Sequence, residues 1–475
     1  MPTKAVQQFM LGTVLSNENE ARQTLAAMKA AGYDGIELCG FMIHPIGFMV
    51  RLLTKAAGMP VGKGGNLDWH ALVKEAGLQV VSLHTDLGSL ERDAKAVADE
   101  AKSFGTKYVV ITGMYRFDYG DEATMHDLAA RLNKAGAALK AEGVELLYHF
   151  GVKSNPTAEH AAPAIALCKK EKPDVIIALG GGSAMDEAKF IGVGALYDGD
   201  PWDFPLGKAV IEKTIPVITV VTIPATSSEL NGTAVITNEA LGRKDGFVNP
   251  VMKPVVSILD PELTYTIPIK QTAYSAADIV SHLLEHYLGH TLPFAPYQDH
   301  FCQGGIRSIM DCMDRLLKDP QDPEARGLMM WQAAFAWNGF YDCGMGLPNS
   351  NIHILGHSLS NFYDTPHGAA MSVTILATMR YYLKERAKKY ADFAREVFKI
   401  EEKDDRKAAQ AGIDALEAWF KKIGTPTTLA EAGITDPDAI DKMAPDALQT
   451  AVAWGEKDAY GYTEQVMREQ FELCK

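Results

Sequence analysis

Short apolar runs alternate with longer amphipathic segments over the first 149 residues. The segments EARQTLAAMKAAG and ERDAKAVADEAKSFG have the period of helices and end near Gly, as helix C-termini prefer. Strand–helix–strand units in series indicate a parallel sheet. The predicted strands are FMLGTVL (9–15), GIELCG (35–40), VVSLHTDL (80–87), YVVITGM (108–114) and VELLYHF (144–150).

The pattern changes twice along the rest of the chain. From 150 to about 268 Gly, Ser and Thr loops join the strands, as in VIIALGGG, VITVVTIPATSS and KPVVSILDPELT. After about residue 268 the strand signal disappears and the period is helical. No Gly/Ser linker separates these two regions, so we expect them to pack tightly and share a cleft. The predicted domains are 1–149, 150–268 and 269–475.

Composition narrows the class of protein. A chain of 475 residues, 47% apolar and 22% charged, is typical of a soluble globular protein with two or three domains. Its net charge of -14 argues against nucleic acid as a partner. No segment approaches the roughly 18 uncharged apolar residues of a membrane span, and the N-terminus lacks a sustained apolar stretch. Six scattered Cys without a CxxC pair indicate reduced thiols in a cytoplasmic protein.

Two helical segments carry residues with metal-ligand spacing. TAYSAADIVSHLLEHYLGH places Asp278 and His282 four residues apart, on one helix face. NIHILGHSLSNFYDTPHG places His353 and His357 likewise, and His367 begins the next segment after a proline. A carboxylate with neutral imidazoles suits Fe(II), Zn(II) or a similar ion. One D-x-x-x-H pair is more often a surface or capping pair, so the hypothesis rests on the whole set.

The segment VIIALGGGSAMDEAKFIG predicts a strand, a glycine turn and a helix start. Gly180, Gly181 and Gly182 would let the backbone approach a pyrophosphate at the helix N-terminus. Ser183 and Asp186 form an S-x-x-D capping signature. Most glycine triplets are merely turns, so the strand-to-helix context carries this prediction.

The two metal-site segments resemble those of the iron-containing alcohol dehydrogenase family, especially its butanol-dehydrogenase-like branch. That family binds its metal through D-x-x-x-H and two His fourteen residues apart, which implies Asp278, His282, His353 and His367 as ligands here. The resemblance also implies that His357 lines the substrate and nicotinamide pocket, as a proton relay or for substrate orientation. His286 departs from the family pattern, and we expect it to be harmless unless it crowds the ion.

The cofactor motifs of the same family follow in order from about 150 to 475. They are GVKSNP, GGGS with D-x-x-K, TIPATSSELN, AVITNE and DPELT. Taken singly, each Thr or Ser is more often bonded within its own turn, and Lys253 is more often a solvated surface charge. Together they imply NAD or NADP bound by Asn155, Gly181, Gly182, Ser183, Asp186, Thr222, Thr226 and Lys253.

The N-terminal region resembles a different family. AAGYDGIELCG, AGLQVVSLHTDL, SFGTKYVVITG and ALKAEGVELLYH are similar to the first five β/α units of xylose-isomerase-like sugar phosphate isomerase/epimerase barrels. Such barrels close with eight strands, so we do not expect isomerase activity from this region alone. Glu37 and His84, at strand ends, are either remnants of a sugar pocket or, more commonly in proteins, satisfied core residues. The Gly-rich loop that begins the dehydrogenase family's dinucleotide domain has no counterpart here.

The expected fold is therefore α/β, with partial β/α-barrel-like N-terminal units and then a Rossmann-like parallel sheet, followed by an all-α domain. The expected function is metal-dependent NAD(P)-linked interconversion of primary alcohols and aldehydes by hydride transfer, with Fe2+ or Zn2+. We expect a cytoplasmic homodimer that acts on a small alcohol or aldehyde. The alternatives are a sugar (phosphate) isomerase or epimerase run by the N-terminal half, a catalytically silent fusion, and a polyol dehydrogenase.

Overall fold

The fold is taken from a computed structural model. It describes residues 5–8, 11, 17–45, 64–85, 87–106, 109–111, 134, 147–289, 295–341, 343–345 and 348–475. The chain divides into two compact units, Met1–His149 and Phe150–Lys475. The division falls within the segment VELLYHF, between a histidine and a phenylalanine.

The first unit contains a parallel sheet of four strands in the order β1-β2-β3-β4, which confirms the predicted α/β pattern. Neighbours in the sheet are neighbours in sequence, as successive β/α units of a barrel would place them. The strands are β1 (Ala5–Gln7), β2 (Gly35–Cys39), β3 (Gln79–Thr85) and β4 (Val109–Ile111). The helices are α1 (Glu18–Ala30), α2 (Gly40–Ile43), α3 (Trp69–Ala76), α4 (Leu87–Arg92) and α5 (Ala94–Ser103).

Four predicted strands of this region lie partly outside the described residues. Of FMLGTVL only Leu11 is described, and residues 86, 108, 112–114 and 144–146 are outside as well. The described end of VELLYHF, residues 147–150, has no regular secondary structure.

The two faces of this sheet differ in polarity. Ile36 and Leu38 point to an apolar core with Leu25 of α1. The side chains of Glu37 and His84 are buried too, and Glu37 Oε2 lies 2.9 Å from His84 Nε2. A buried carboxylate and imidazole that contact each other fit the interpretation of satisfied core residues.

The second unit begins with a three-stranded parallel sheet in the order β5-β6-β9 and a separate antiparallel hairpin, β7–β8. The hairpin was not predicted, because the polar RKDGFV segment lacks the apolar alternation that identifies a strand. The strands are β5 (Ile176–Gly181), β6 (Val217–Ile223), β7 (Thr233–Asn238), β8 (Arg243–Val248) and β9 (Val256–Ile258). The helices are α6 (Ala158–Glu171) and α7 (Gly182–Gly194).

The elements described after residue 268 are all α-helices, with no strand among them, as predicted. The helices enclose one apolar core, and α8 is buried on all sides over most of its length. None of the described helices is both long enough and apolar enough to span a membrane. They are α8 (Ile269–Gly289), α9 (Pro296–Leu316), α10 (Pro323–Ala336), α11 (Asn351–Tyr363), α12 (His367–Tyr382), α13 (Ala387–Phe398), α14 (Asp405–Ile423), α15 (Ala439–Ala453), α16 (Lys457–Tyr460) and α17 (Glu464–Glu472).

Candidate active site

Three helices carry the four predicted metal ligands, and the ligand atoms of Asp278, His353 and His367 lie within 4.8 Å of one another. The middle of α8 carries Asp278 and His282, α11 carries His353, and α12 begins at His367. All three helices pack against one another within the apolar core. The i, i+4 spacing places Asp278 and His282 on one face of α8, as the sequence predicts.

The turn between α11 and α12 determines where His367 lies. Asp364 adopts the left-handed conformation (φ 47°, ψ 31°), and its N–H donates to Ser360 O at 3.1 Å, which ends α11. Pro366 then precedes the new helix. A Cβ on Gly368 would lie 2.0 Å from Tyr274 O. Only glycine therefore lets the start of α12 approach α8, one turn before Asp278.

The donor atoms converge on one carboxylate oxygen. Asp278 Oδ1 lies 3.3 Å from His367 Nε2, 3.7 Å from His353 Nε2 and 4.0 Å from His282 Nε2. Four tetrahedral ligands at bond lengths of about 2.1 Å would lie about 3.4 Å apart. Asp278 Oδ1 and His353 Nε2 are also buried without a hydrogen-bond partner among the described residues. Buried polar atoms are normally satisfied, so this set fits a divalent cation.

Burial and neighbouring charges set the protonation of the site. Burial lowers the pKa of His282 to about 3 and that of His357 well below its usual range, so both rings are neutral. Burial alone would raise the pKa of Asp278, but His367 and His282 outweigh it and hold that pKa well below the ordinary value. An ionised carboxylate beside neutral imidazoles is the ligand form that metal ions require.

Glu285 contacts both the backbone and the ring of His353. Glu285 Oε1 accepts a hydrogen bond from His353 N at 2.9 Å, and Oε2 lies 2.8 Å from His353 Nδ1. Burial lowers the pKa of His353, but Glu285 and Asp278 outweigh burial and raise it to about 10. Glu285 was not predicted from the sequence. Its position three residues after His282, about one turn along the same helix, could have indicated that it lies near the ligand set.

His286 faces away from the ligand set. Its Nε2 donates to Ala336 O at 2.9 Å, and its ring lies 4.9 Å from that of Trp337 and 5.7 Å from that of Tyr341. The possible crowding of the ion by His286 is therefore not observed.

The glycine turn leads directly from β5 into α7. Gly181 is the N-cap residue, without a side-chain cap, and Ser183 is the second residue of the helix. The predicted S-x-x-D capping interaction is therefore wrong. Asp186 accepts hydrogen bonds from Ser228 Oγ at 2.6 Å and Val235 N at 3.0 Å instead. The side chain is half-buried, and it accepts from donors of the neighbouring loop and strand rather than from the helix start.

The glycine turn and the Thr/Ser loop touch each other. A Cβ on Gly182 would lie 2.5 Å from Thr226 Cγ2, so glycine is required for this approach. Thr222 lies near the carboxyl end of β6, next to the carboxyl end of β5 where Gly181 lies. Ligands of open parallel sheets bind at that edge. Gly181, Gly182, Thr222 and Thr226 are thus brought together.

Trp337 connects this loop with the histidines. Its N–H donates to Ser227 Oγ at 2.7 Å, and its O accepts from Asn231 Nδ2 at 3.1 Å. Its ring centroid lies 5.1 Å from that of His282 and 5.8 Å from that of His353. Trp337 therefore contacts the Thr/Ser loop through its backbone and two of the histidine rings through its indole. A single Trp in a helical stretch gives no pattern, so sequence reasoning did not find it.

Asn155, Lys244 and Lys253 lie in different environments. Asn155 Nδ2 donates to Asp364 Oδ1 at 2.9 Å, and Asn155 Oδ1 accepts from Lys244 Nζ at 2.8 Å. Lys244 is buried, and burial lowers its pKa to about 8 although Asp278 and other carboxylates oppose this. Lys253, the lysine singled out from the sequence, is exposed. The buried lysine was missed because it follows Arg243 in a polar stretch.

Comparison with known families gives two adjacent matches. The family model described as iron-containing alcohol dehydrogenase matches residues 91–261, and that for the C-terminal part of the Fe-containing alcohol dehydrogenase family matches residues 272–467. The first match begins before residue 150, so it extends into the region whose motifs resemble a sugar isomerase barrel.

Individual relatives cover most of the chain. A probable NADH-dependent butanol dehydrogenase 1 of Bacillus subtilis is 33% identical over 366 residues, 76% of this chain and 90% of that protein. An NADH-dependent butanol dehydrogenase B of Clostridium acetobutylicum is 32% identical over 74% of this chain and 87% of its own length. The crystal structure of an NADH-dependent butanol dehydrogenase A from Thermotoga maritima superposes with a TM-score of 0.69 at 28% identity, covering 100% of this chain and 97% of the other.

Proposed function

This chain belongs to the iron-containing alcohol dehydrogenase family, and on that premise we propose that it interconverts primary alcohols and aldehydes with a nicotinamide cofactor. One observation carries the proposal: Asp278, His353 and His367 have ligand atoms within 4.8 Å of one another, with His282 Nε2 4.0 Å from Asp278 Oδ1, in helices that follow a parallel sheet with a glycine turn at its edge. Hydride transfer is the chemistry that the nicotinamide provides, while the protein provides placement.

Asp278, His282, His353 and His367 would hold the divalent ion, which the family description identifies as iron. When bound, the ion supplies Lewis acidity, which lowers the pKa of an alcohol hydroxyl or polarises an aldehyde carbonyl. Asp278 is the only anionic ligand of the four, so the ligand set leaves a positive charge at the substrate position. That charge favours the anionic form of the substrate oxygen.

The cofactor would lie along the edge formed by β5, β6 and the Thr/Ser loop. The first N–H groups of α7, from Gly182 and Ser183 onward, and the helix dipole favour a pyrophosphate. Gly181, Thr222 and Thr226 would border it. Beyond this edge, Asn155 and Lys253 are proposed contacts, and Asp186 would support the loop through its hydrogen bond with Ser228.

His357 is the proposed group for substrate orientation or proton transfer. Its ring centroid lies 5.6 Å from that of His367 and 5.1 Å from that of Trp454. His357 Nδ1 is buried and has no hydrogen-bond partner in the part of the chain that the structure describes. A hydroxyl placed beside it would satisfy that atom.

The test compares wild type with two Asp-to-Asn variants, using ethanol, 1-propanol and 1-butanol with NAD or NADP. Asp278→Asn is expected to lose both bound metal and turnover. Asp322→Asn is the control, because Asp322 caps α10 by accepting from Ala325 N and an Asn caps equally well. Full turnover of Asp278→Asn would refute the ligand assignment.

The same preparations discriminate the rival activities. Turnover of glycerol in preference to simple alcohols would identify a polyol dehydrogenase. Ketose–aldose interconversion without nicotinamide would identify an isomerase. Absence of both turnover and cofactor binding would identify a silent fusion.

The assembly and cellular location also belong to the proposal. We propose a cytoplasmic homodimer that acts on a small alcohol or aldehyde, without nucleic acid or membrane as partner. Light scattering should give twice the chain mass of 51.7 kDa, and cell fractionation should place the protein with the cytoplasm.

A further inference from the structure

Glu285 contacts one residue of the ligand set in two places. It lies on α8 with Asp278 and His282, but its carboxylate is directed at His353 of α11. Oε1 accepts from the backbone N–H of His353 at 2.9 Å, and Oε2 lies 2.8 Å from Nδ1 of the ring. Only 1% of the Glu285 side chain is exposed. Its two oxygens therefore engage the main chain and the ring of a single histidine, away from water.

This arrangement fixes which ring nitrogen of His353 is available to an ion. A carboxylate oxygen accepts a hydrogen bond from the ring N–H, so Nδ1 carries a hydrogen and Nε2 is the nitrogen that an ion would bind. Nε2 lies 3.7 Å from Asp278 Oδ1 and has no hydrogen-bond partner in the described ranges. A carboxylate behind a ligating imidazole orients the ring and raises its basicity.

We propose that Glu285 is a positioning residue that holds His353 with Nε2 aimed at the metal position. The inference rests on the proposed function, because it assumes that His353 binds the ion. Glu285 itself touches neither the ion nor the substrate. It acts through the orientation and the tautomer of the ring.

Alternatively, Glu285 only holds the start of α11 in place. Glu456 serves as the control for this alternative, because it also binds the start of α11. Glu456 accepts from the N–H of Ser350, the N-cap residue of α11, at 3.0 and 3.3 Å. In the described part of the chain the Glu456 carboxylate accepts from Ser350 and not from His353. Two carboxylates from different helical segments thus bind the first turn of α11, but only one of them contacts the ligand ring.

The experiment titrates metal-free full-length protein with Co(II) and follows the visible d–d absorption. In Glu285→Gln the amide offers one acceptor and one donor group, so it cannot accept from both N–H groups of His353. This variant is expected to bind Co(II) about 10- to 100-fold more weakly, with a changed d–d spectrum. Glu456→Gln is expected to bind Co(II) within about twofold of wild type. Glu456 does not orient the His353 ring, so the loss expected for Glu285→Gln does not arise.

Three outcomes would overturn the inference. Wild-type affinity and spectrum in Glu285→Gln would show that the ring does not need the carboxylate. An equal loss in both variants would assign the effect to α11 as a whole. A wild type that binds no Co(II) would refute the metal site itself, and with it the proposed function.

A second substitution keeps the test decisive if Glu285→Gln does not fold. Glu285→Asp retains the charge but withdraws it by one methylene group. It is expected to weaken Co(II) binding in the same direction while its metal-free thermal midpoint stays near wild type. Unchanged Co(II) affinity in Glu285→Asp would overturn the proposal.

Discussion

Replacing Glu229 with Gln is expected to stabilise the protein above neutral pH. Glu229 follows the two serines of the Thr/Ser loop and is buried, and neither carboxylate oxygen has a hydrogen-bond partner among the residues described. Burial raises its pKa from an ordinary value of 4.5 to about 7, although its own backbone N–H and Lys189 oppose the change. The charged form is therefore unfavourable in the folded state.

The sign and size of the effect follow from linkage. Between pH 4.5 and about 7 the folded protein retains a proton that the unfolded chain has released, so the free energy of unfolding falls as pH rises. At 1.36 kcal/mol per pH unit, the loss is about 3 kcal/mol by pH 8. Gln carries no charge and avoids this loss. The pKa of about 7 already includes the attraction of Lys189, so about 3 kcal/mol is the upper bound of the gain from Gln.

The assay compares thermal midpoints of wild type, Glu229→Gln and Glu239→Gln at pH 5.5 and pH 8. Glu239 is exposed and serves as the control. For a unit as large as Phe150–Lys475, 1 kcal/mol corresponds to about 1.5 °C. Glu229→Gln should gain about 2–4 °C at pH 8 and less than half as much at pH 5.5, because pH 5.5 lies only about one unit above the ordinary pKa of 4.5. Equal midpoints at pH 8, or a lower one for the variant, would refute the burial argument.

Two glycine substitutions test the close approaches that form the site. Gly182→Ala places a Cβ against Thr226, so NADH should bind at least about tenfold more weakly in a fluorescence titration, with metal content unchanged. Wild-type NADH affinity in this variant would contradict the argument. Gly368→Ala places a Cβ against the Tyr274 carbonyl, so overpacking should lower the free energy of unfolding by about 1–3 kcal/mol and metal content should fall. A wild-type thermal midpoint and metal content would show that the helices adjust freely.

The sequence predicted those parts of the fold that have a strong periodic signal. GIELCG and VIIALGGG are strands, and the long helical period after residue 268 is a bundle of helices. The hairpin of β7 and β8 was missed because its second strand is polar, and the pairing of two distant segments leaves no local signal. The predicted strand VELLYHF lies partly outside the described residues, so it stays a prediction.

The site was predictable to the extent that its residues form local patterns. Asp278 and His282 share a helix face, so spacing alone brought them together. Lys244 and Trp337 approach the site from the hairpin and from the end of α10, and only the folded chain shows this. The S-x-x-D signature failed because donors from the neighbouring loop and strand bind the half-buried Asp186, and a sequence window does not contain them.

The most direct test of the central claim is an anomalous-difference map from crystals of the protein grown with zinc or cobalt. A single strong peak is expected about 2.0–2.2 Å from Asp278 Oδ1 and from Nε2 of His282, His353 and His367. A map without a peak at that position, or with the ion held by other residues, would contradict the assignment on which the proposed dehydrogenase function rests.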